Sequence, residues 1–439
     1  MAAPPPQFLD FPVEILISIC RMLCLHCATI TTRDDRRYIG NSPGAIALNH
    51  LSRTCKTLRS VAQPFLYHAP QPFLYTPLLR TLLARPDLQE VVQILTNRRH
   101  LSHRGIDGMS ESHGASSSQL NIPDEAAYEL GLALADLSAS DNAWSYEVLV
   151  AHLPGLRQLV YFGHNNQWMF GGSLSSFDGV VFTQLHHLEL IPQDPNFRMD
   201  DRAWINDMLL ARMPNLVSLH LKNLTGMPDR LLIPSVRSLR LTNSCLDCFS
   251  IDNLITSCPR LESFEYEPDV SNWTDVHFSS DSDHFTPGDL WLALMTCKAT
   301  LKHLNIHVGQ DSRFVPSPKW LHLRPWRCFM GPLAKFDRLE TLVVSTASFD
   351  PAPDFPNSEE FVARLPRNVR ILTLPGVDDY YGDPSPLAEA IRRGQFPHLK
   401  HLELGVRKED EERVRGVFEH PGVRFMRYPD GFSLREQER

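Results

Sequence analysis

The sequence predicts an α/β solenoid behind a small all-helical segment, and three observations predict it. First, a short phrase, Leu-x-x-Leu-x-Leu in its fullest form, recurs ten times. Its leading apolar residues are Leu156, Leu185, Leu216, Val236, Leu261, Leu301, Leu339, Val369, Leu399 and Val423. The mean spacing of about 30 residues lies in the range of solenoid repeats. Second, stretches of helical periodicity alternate with the phrase, which is the rhythm of parallel strands joined by helices. Third, the first 70 residues lack the phrase and show apolar residues at helical spacing instead.

Residues 1–7 (Met-Ala-Ala-Pro-Pro-Pro-Gln) read as a flexible leader. Asp10 then stands as a cap and Pro12 in the first turn of a helix, with Ile15, Leu16, Ile19, Met22, Leu23 and His26 at its spacing. Charges, Gly and Pro over 31–45 predict a surface loop. A single second helix is predicted next, with Ile46, Leu48, Leu51, Cys55, Leu58, Val61 and Ala62 on its apolar side and Pro64 to Tyr67 ending it. A short helix from Pro77 to Arg85, followed by Val91 to Leu95, reads as an atypical first repeat that caps the solenoid. Residues 102–123, rich in Ser, Gly and His, are expected to be disordered, and helical periodicity returns over 124–140.

Within the repeats the unit is helix, Pro-containing turn, strand. Asp200 to Arg212, Gly288 to Lys298 and Ser385 to Arg393 are predicted helices; Leu216 to Leu221, Leu301 to Ile306 and Leu399 to Leu404 are the strands that follow. Side chains alternate along a strand, so the middle and last Leu of each phrase should point inward. Each buried Leu contributes about 1.5–3 kcal/mol. The intervals are irregular, from 20 residues (Leu216 to Val236) to 40 (Leu261 to Leu301). The longer ones predict excursion loops at Asp269 to Pro287 and Phe314 to Pro325, with shorter loops at Pro351 to Pro356 and Tyr380 to Pro386.

The 439 residues carry a net charge of −8, and 43% of them are hydrophobic. That acidity argues against general nucleic-acid binding. No run approaches the length of a membrane span, and Met1 to Phe11 lacks the basic and apolar regions of a secretory signal. Nine scattered cysteines, an odd number, suit free thiols in a reducing compartment, so cytoplasm or nucleus is expected. There is no phosphate-cradling glycine loop, no Gly-x-Ser-x-Gly and no His-Glu-x-x-His. No catalytic residue and no cofactor are expected.

Residues 9–67 resemble an F-box. The matching residues are Leu9, Phe11-Pro12, Glu14-Ile15, Ile19 and Leu23, then Leu48, Leu51-Ser52, Cys55-Lys56, Leu58-Arg59 and Phe65-Leu66-Tyr67. The second half is especially similar to fungal members. Residues 156–428 resemble leucine-rich repeats. The implied organisation is an F-box over 8–68 and an irregular leucine-rich-repeat domain over 69–439, with parallel strands on a concave face and helices outside. The chain departs from the pattern in its long, charged segment between Leu23 and Leu48. It also lacks a regular Asn after the last Leu, where Gln193, Leu224 and Ser244 stand. The resemblance implies a non-catalytic substrate-recognition subunit of an SCF-type ubiquitin ligase. The F-box would dock on a Skp-family adaptor and through it a cullin, while the repeats grip a protein target. The alternative it leaves open is an F-box scaffold acting without ubiquitin transfer.

For the adaptor, the resemblance and the apolar spacing single out Leu9, Phe11, Pro12, Ile15, Leu16, Ile19 and Leu23, with Leu51 and Leu58 from the second helix. The bland alternative is that these form the core of a small helical domain. For the target, the third and fifth positions of each phrase, and the residue just beyond, should face solvent. They include His187 and Glu189, His220 and Lys222, Arg240, Glu265 and Glu267, His303, Asn305 and His307, and His401 and Glu403. The bland alternative there is an ordinary solvated face. Cys24-Leu25-His26-Cys27 and Cys245-Leu246-Asp247-Cys248 are both Cys-x-x-Cys. A zinc site built from both pairs would need them close together, and they are far apart in sequence, so no metal is expected.

Overall fold

The computed structural model describes residues 11–24, 26–27, 43–70, 75–96, 142–163, 180–192, 210–224, 231, 233–244, 246–268, 285–306, 329–344, 349, 359–375, 384–406, 410–418 and 422–427. The leader, the predicted disordered segment at 102–123, the helical periodicity at 124–140 and most of the excursion loops lie outside these residues. The chain divides into two compact units. The first covers residues 1–164 and 169–190, the second 165–168 and 191–439. The partition thus falls within the repeats.

The first unit opens with three helices, α1 (Val13–Leu23), α2 (Pro43–Thr54) and α3 (Lys56–Tyr67). The single second helix predicted from sequence is broken at Cys55. This residue is extended (φ −154°) and its Sγ accepts the Leu58 N–H at 3.5 Å, so it caps α3. Pro64 lies inside α3 and does not end it. α1 begins after Pro12, whose carbonyl accepts the Ile15 and Leu16 N–H groups. It ends at Leu23, so His26 lies in a turn beyond the helix. Residues 43–45, predicted as loop, already belong to α2. At Gly44 the helix approaches the Leu23 carbonyl so closely that a Cβ would sit 2.1 Å from its oxygen. Leu16, Cys20, Cys24, Leu48, Leu58, Val61 and Ala62 form the bundle's core.

Two more helices, α4 (Tyr75–Ala84) and α5 (Pro86–Gln89), lead to strand β1 (Ile94–Thr96). Helix α6 (Asn142–Ala151) precedes β2 (Gln158–Gly163), which pairs parallel with β1. The expectation that residues 76–96 supply a first, atypical repeat matches this geometry. The last strand of the unit is β3 (His187–Pro192), the final two residues of which belong to the second unit.

The second unit continues through β4 (Ser218–Lys222), β5 (Ser238–Ser244), β6 (Ser263–Pro268), β7 (His303–Ile306), β8 (Thr341–Val344), β9 (Ile371–Leu374), β10 (His401–Leu404) and β11 (Arg424–Arg427). These strands pair in parallel, in chain order. Helices α7 (Cys248–Thr256), α8 (Pro287–Leu294), α9 (Glu359–Arg364), α10 (Ser385–Arg392) and α11 (Glu411–Val417) fall between strands. The unit is therefore a solenoid-like α/β stack. The middle and last apolar positions of the phrase are buried, for example Leu219 and Leu221, Leu239 and Leu241, Phe264 and Tyr266, and Leu402 and Leu404. The leading position is buried as well.

Several phrases are entered by a tight turn with Pro near its start. Met213-Pro214-Asn215-Leu216, Ile233-Pro234-Ser235-Val236 and Cys258-Pro259-Arg260-Leu261 all return the fourth residue's N–H to the first residue's carbonyl, at 3.0–3.1 Å. A second recurring bond locks one repeat to the next. The carbonyl of the phrase's second residue accepts two N–H groups from the following repeat. Arg237 takes Glu262 and Ser263, Glu262 takes Lys302 and His303, Lys302 takes Glu340 and Thr341, and Arg370 takes Lys400 and His401, all at 2.7–3.1 Å.

The tenth phrase is out of step by one residue. In the sheet Leu402 pairs with Phe425 and Leu404 with Arg427, so Phe425 takes the middle position and Gly422, not Val423, leads. A one-residue slip exchanges the faces of a strand, and β11 has no fully buried residue.

The second residues of the phrases led by Val236 through Val369 also carry side-chain charge of alternating sign. Glu262 lies between Lys302 (2.7 Å) and Arg237 (3.2 Å), and Glu340 faces Arg370 at 3.5 Å. The hydrogen bond from Lys302, then the charges of Lys302 and Arg237, hold the Glu262 carboxyl below its ordinary range. A carboxyl with a lowered folded-state pKa contributes stability above its unfolded value, and that contribution fades as pH falls through the folded value. Glu262→Gln should therefore cost at most about 1 kcal/mol at neutral pH, as for other partly exposed ion pairs. The gap between variant and parent should close below about pH 4. Urea midpoints measured across that range test this, and a gap that widens with acid would refute it.

Candidate functional site

The helical bundle uses only part of the apolar surface on α1. Leu16 and Cys20 form an inner stripe at i, i+4, continued by Cys24, and all three are buried. Ile15, Ile19 and Met22 form a second stripe one position away, at i, i+4, i+7, and it faces outward. Met22 is 69% exposed, Ile15 45%, Phe11 42% and Val13 48%; Ile19 is half-buried. On α2, Ile46 is exposed too, although its periodicity placed it with the core.

The predicted adaptor residues therefore separate. Phe11, Pro12 and Ile15 are exposed, while Ile19, Leu23 and Leu51 are half-buried. Leu16 and Leu58 are buried in the bundle core, so they hold the helices together and offer no surface. Leu9 lies outside the described residues. Val13 was missed because it breaks the i, i+4 pattern. Met22 and Ile46 fit the pattern but sit at the edge of an apolar arc wider than the bundle can cover.

The predicted target residues lie on the strand face opposite the buried leucines, in two registered rows. The third positions align as Ser218, Ser238, Ser263, His303, Thr341, Ile371, His401 and Arg424. The fifth positions align as His220, Arg240, Glu265, Asn305, Val343, Thr373, Glu403 and Met426, the β8 to β9 step being Val343 against Thr373. Register makes neighbours of residues that the sequence separates. Arg240 Nε lies 3.2 Å from Glu265 Oε1, with side chains only 18% and 9% exposed. Glu265 is thus a buried member of an internal pair and not an open contact. Beside it, the Asn305 Oδ1 is buried and has no hydrogen-bond partner among the described residues.

His220 Nε2 meets the Thr242 hydroxyl at 2.9 Å, and His303 Nδ1 meets that of Thr341 at 3.1 Å. Burial raises the Glu403 carboxyl above its ordinary range, against the opposing effect of the Thr373 hydroxyl, which donates to it at 3.3 Å. Lys222 and Glu267 are half-buried at strand ends, and His401 is half-buried. His187 (exposed) and Glu189 (half-buried) belong to the first unit, and His307 lies outside the described residues. The repeat histidines form no cluster with metal-ligand spacing among the described residues.

The regular Asn absent from the position after the last Leu has a local substitute one residue earlier. Asn223 and Asn243 adopt left-handed backbone (φ 57° and 51°), which Asn tolerates, and Asn243 Nδ2 donates to Asn223 Oδ1 at 2.6 Å. The Ser244 hydroxyl accepts the Leu224 N–H at 3.1 Å, so it joins two turns of the stack.

One group of side chains brings together residues of the first Cys-x-x-Cys with a distant histidine. Cys24, His26 and Cys27 come together with His68, which follows α3, and one ligand atom from each lies within 4.8 Å of the others. Burial, then the nearby Cys24, pushes the Cys27 thiol up to about 11. Burial, then His26, holds His68 down to about 4. His26 is lowered by burial and then by the charge of Arg157. Cys245, in the other Cys-x-x-Cys, lies outside the described residues.

Among the described residues no helix is long and apolar enough to cross a membrane. No protein-family model matches the chain, and no curated protein matches it.

The division of α1 into two stripes has a direct test. Leu16→Ala should cost about 2–5 kcal/mol, as for other buried Leu truncations, whereas Met22→Ser should stay within about 0.5 kcal/mol. Chemical denaturation of both variants reads this; equal losses would show that Met22 is packed.

Proposed function

We propose that this chain is a two-part protein-binding receptor: the helical bundle docks on one partner and the outward strand face of the stack holds another. In particular it acts as the substrate-recognition subunit of an SCF-type ubiquitin ligase. The bundle serves as the F-box that meets a Skp-family adaptor and through it a cullin. The observation that carries this reading is the exposed apolar surface of Phe11, just before α1, and of Ile15 and Met22 on α1, whose inner stripe is already buried. Exposed apolar area of this kind marks interfaces, and Phe11 and Ile15 are among the residues that resemble the F-box pattern.

The stack supports the second half of the reading. Its outward rows mix His, Ser, Thr, Arg, Glu and Asn on a rigid parallel scaffold, and the buried Asn305 oxygen beside the Arg240–Glu265 pair is an acceptor that a bound donor would satisfy. The protein itself does no chemistry. It raises the local concentration of a target lysine near a ubiquitin-charged enzyme, converting a bimolecular transfer into an effectively intramolecular one. Such a receptor works in the cytoplasm or nucleus.

The intact protein and a Pro12→Ala/Ile15→Ala variant, affinity-purified side by side and read by mass spectrometry, test the proposal. Adaptor and cullin should accompany the intact chain and be lost from the variant, since interface anchors are each worth about 2 kcal/mol or more. Both substituted residues are exposed, so the variant should remain folded. Equal recovery of adaptor by both forms, or by neither, refutes the assignment.

A further inference from the structure

We propose that Cys24, His26, Cys27 and His68 form a structural zinc site that pins the end of α1 to the end of α3. The inference is independent of what the helical bundle docks on. It rests on donor chemistry and geometry. Two thiol sulfurs and two imidazole nitrogens make a Cys2His2 set, and all four ligand atoms lie within 4.8 Å of one another. The sulfur–nitrogen contacts are 3.6 Å (Cys24 Sγ to His68 Nδ1), 3.3 Å (Cys27 Sγ to His68 Nδ1) and 3.5 Å (Cys27 Sγ to His26 Nδ1). Tetrahedral zinc with ordinary Zn–S and Zn–N bonds places sulfur and nitrogen about 3.6 Å apart. Three of the six edges of that tetrahedron already have about this length.

Hydrogen bonding alone accounts for the arrangement poorly. An imidazole nitrogen offers one in-plane lone pair or one N–H. His68 Nδ1 nonetheless stands at contact distance from both sulfurs, so at most one of the two contacts is a well-formed hydrogen bond. A cation at the centre satisfies all four groups at once. Binding Zn2+ would release one proton from each thiol to solvent, and two thiolates with two neutral imidazoles then leave the site with no net charge. Tetrahedral S2N2 geometry selects zinc among the common metals.

The local backbone positions each ligand. The Cys24 N–H closes α1 on the Cys20 carbonyl, and the Cys27 N–H returns to the Cys24 carbonyl at 3.0 Å, which turns three ligands to one side within four residues. Cys24 is buried and the other three are half-buried, as a closed structural site requires. Phe65 and His26 pack their rings against His68 at 5.1 and 5.3 Å. The His68 carbonyl accepts the Gln93 and Ile94 N–H groups, both at 2.9 Å. A metal on the His68 ring would thus also fix the acceptor from which the first strand, β1, hangs.

The test uses the full-length chain, purified with reductant and without chelator. Elemental analysis should find about one zinc per chain, as a single four-ligand site requires. After removal of zinc, Co2+ added in its place should give the visible bands of tetrahedral cobalt together with thiolate charge-transfer absorption. His68→Ala and Cys27→Ser should lose the metal, and Cys248→Ser should keep it. Chelation of the parent should speed hydrogen exchange at the Gln93 and Ile94 amides. The parent-protein measurements stand even if a ligand variant fails to fold. A folded, reduced parent that holds no zinc and gives no cobalt bands overturns the proposal, as does isolation of Cys24 and Cys27 as a disulfide from reducing buffer.

Discussion

The structure depends on one backbone acceptor used repeatedly. From Val217 through Arg370 the carbonyl of each phrase's second residue takes two N–H groups from the next repeat, and the strand ladder starts from there. Parallel strands make no hairpins, so nothing local sets their register; this shared acceptor does. In the first unit the same arrangement runs from His68 to Gln93 and from Gln93 to Arg157. His68 therefore occupies, at the end of a helix, the place that an earlier repeat's second residue would hold. The helical bundle supplies the first acceptor of the ladder, and β1 is satisfied without a repeat before it. Terminal repeats of solenoids need such capping because one of their edges would otherwise be left open.

The role of the phrase follows from the same constraint. Tight turns deliver the chain to the strand, the carbonyl sets register, and alternate side chains then fall on fixed faces. Once register is fixed, side chains far apart in sequence become neighbours. Arg240 and Glu265 pair across adjacent strands, and Arg237, Glu262 and Lys302 do the same one position before the strands. The outward face is thereby partly self-satisfied. The residues left to meet a ligand are fewer than an inspection of outward positions suggests, and the serine, histidine and threonine row remains the more open one.

Much of the stack was legible because Leu spacing reports two things together: which residues are buried and where each strand begins. The nine phrases led by Leu156 through Leu399 each place a strand two residues after the leading position. The tenth was misread because Val423 is apolar and stands beside the true leading position, Gly422, which has no side chain to signal it. The bundle was less legible. Apolar periodicity continues across Cys55, so the break between α2 and α3 is invisible to it; the signal was a residue able to cap, and a thiol is a weak one. Leu16 and Leu58 could not be told from Ile15 by residue type, since only the packing partner decides which stripe turns inward.

The thiol–imidazole cluster shows the limit of reading metal ligands from spacing. Cys24-Leu25-His26-Cys27 supplies three donors in four residues, and the natural search is for a second cysteine pair. The fourth donor is instead a single histidine 41 residues beyond Cys27. It reaches the others because Leu48, Leu58 and Val61 pack α2 and α3 against Leu16 and Cys20 of α1. The core that makes the bundle also closes the ligand set, so a sequence search cannot find the site before the helices have been packed. The residue that completes it is also the one whose carbonyl starts the ladder. Packing of three short helices, a four-donor cluster and the register of the first strand thus converge on His68, and a change at this one position acts on all three.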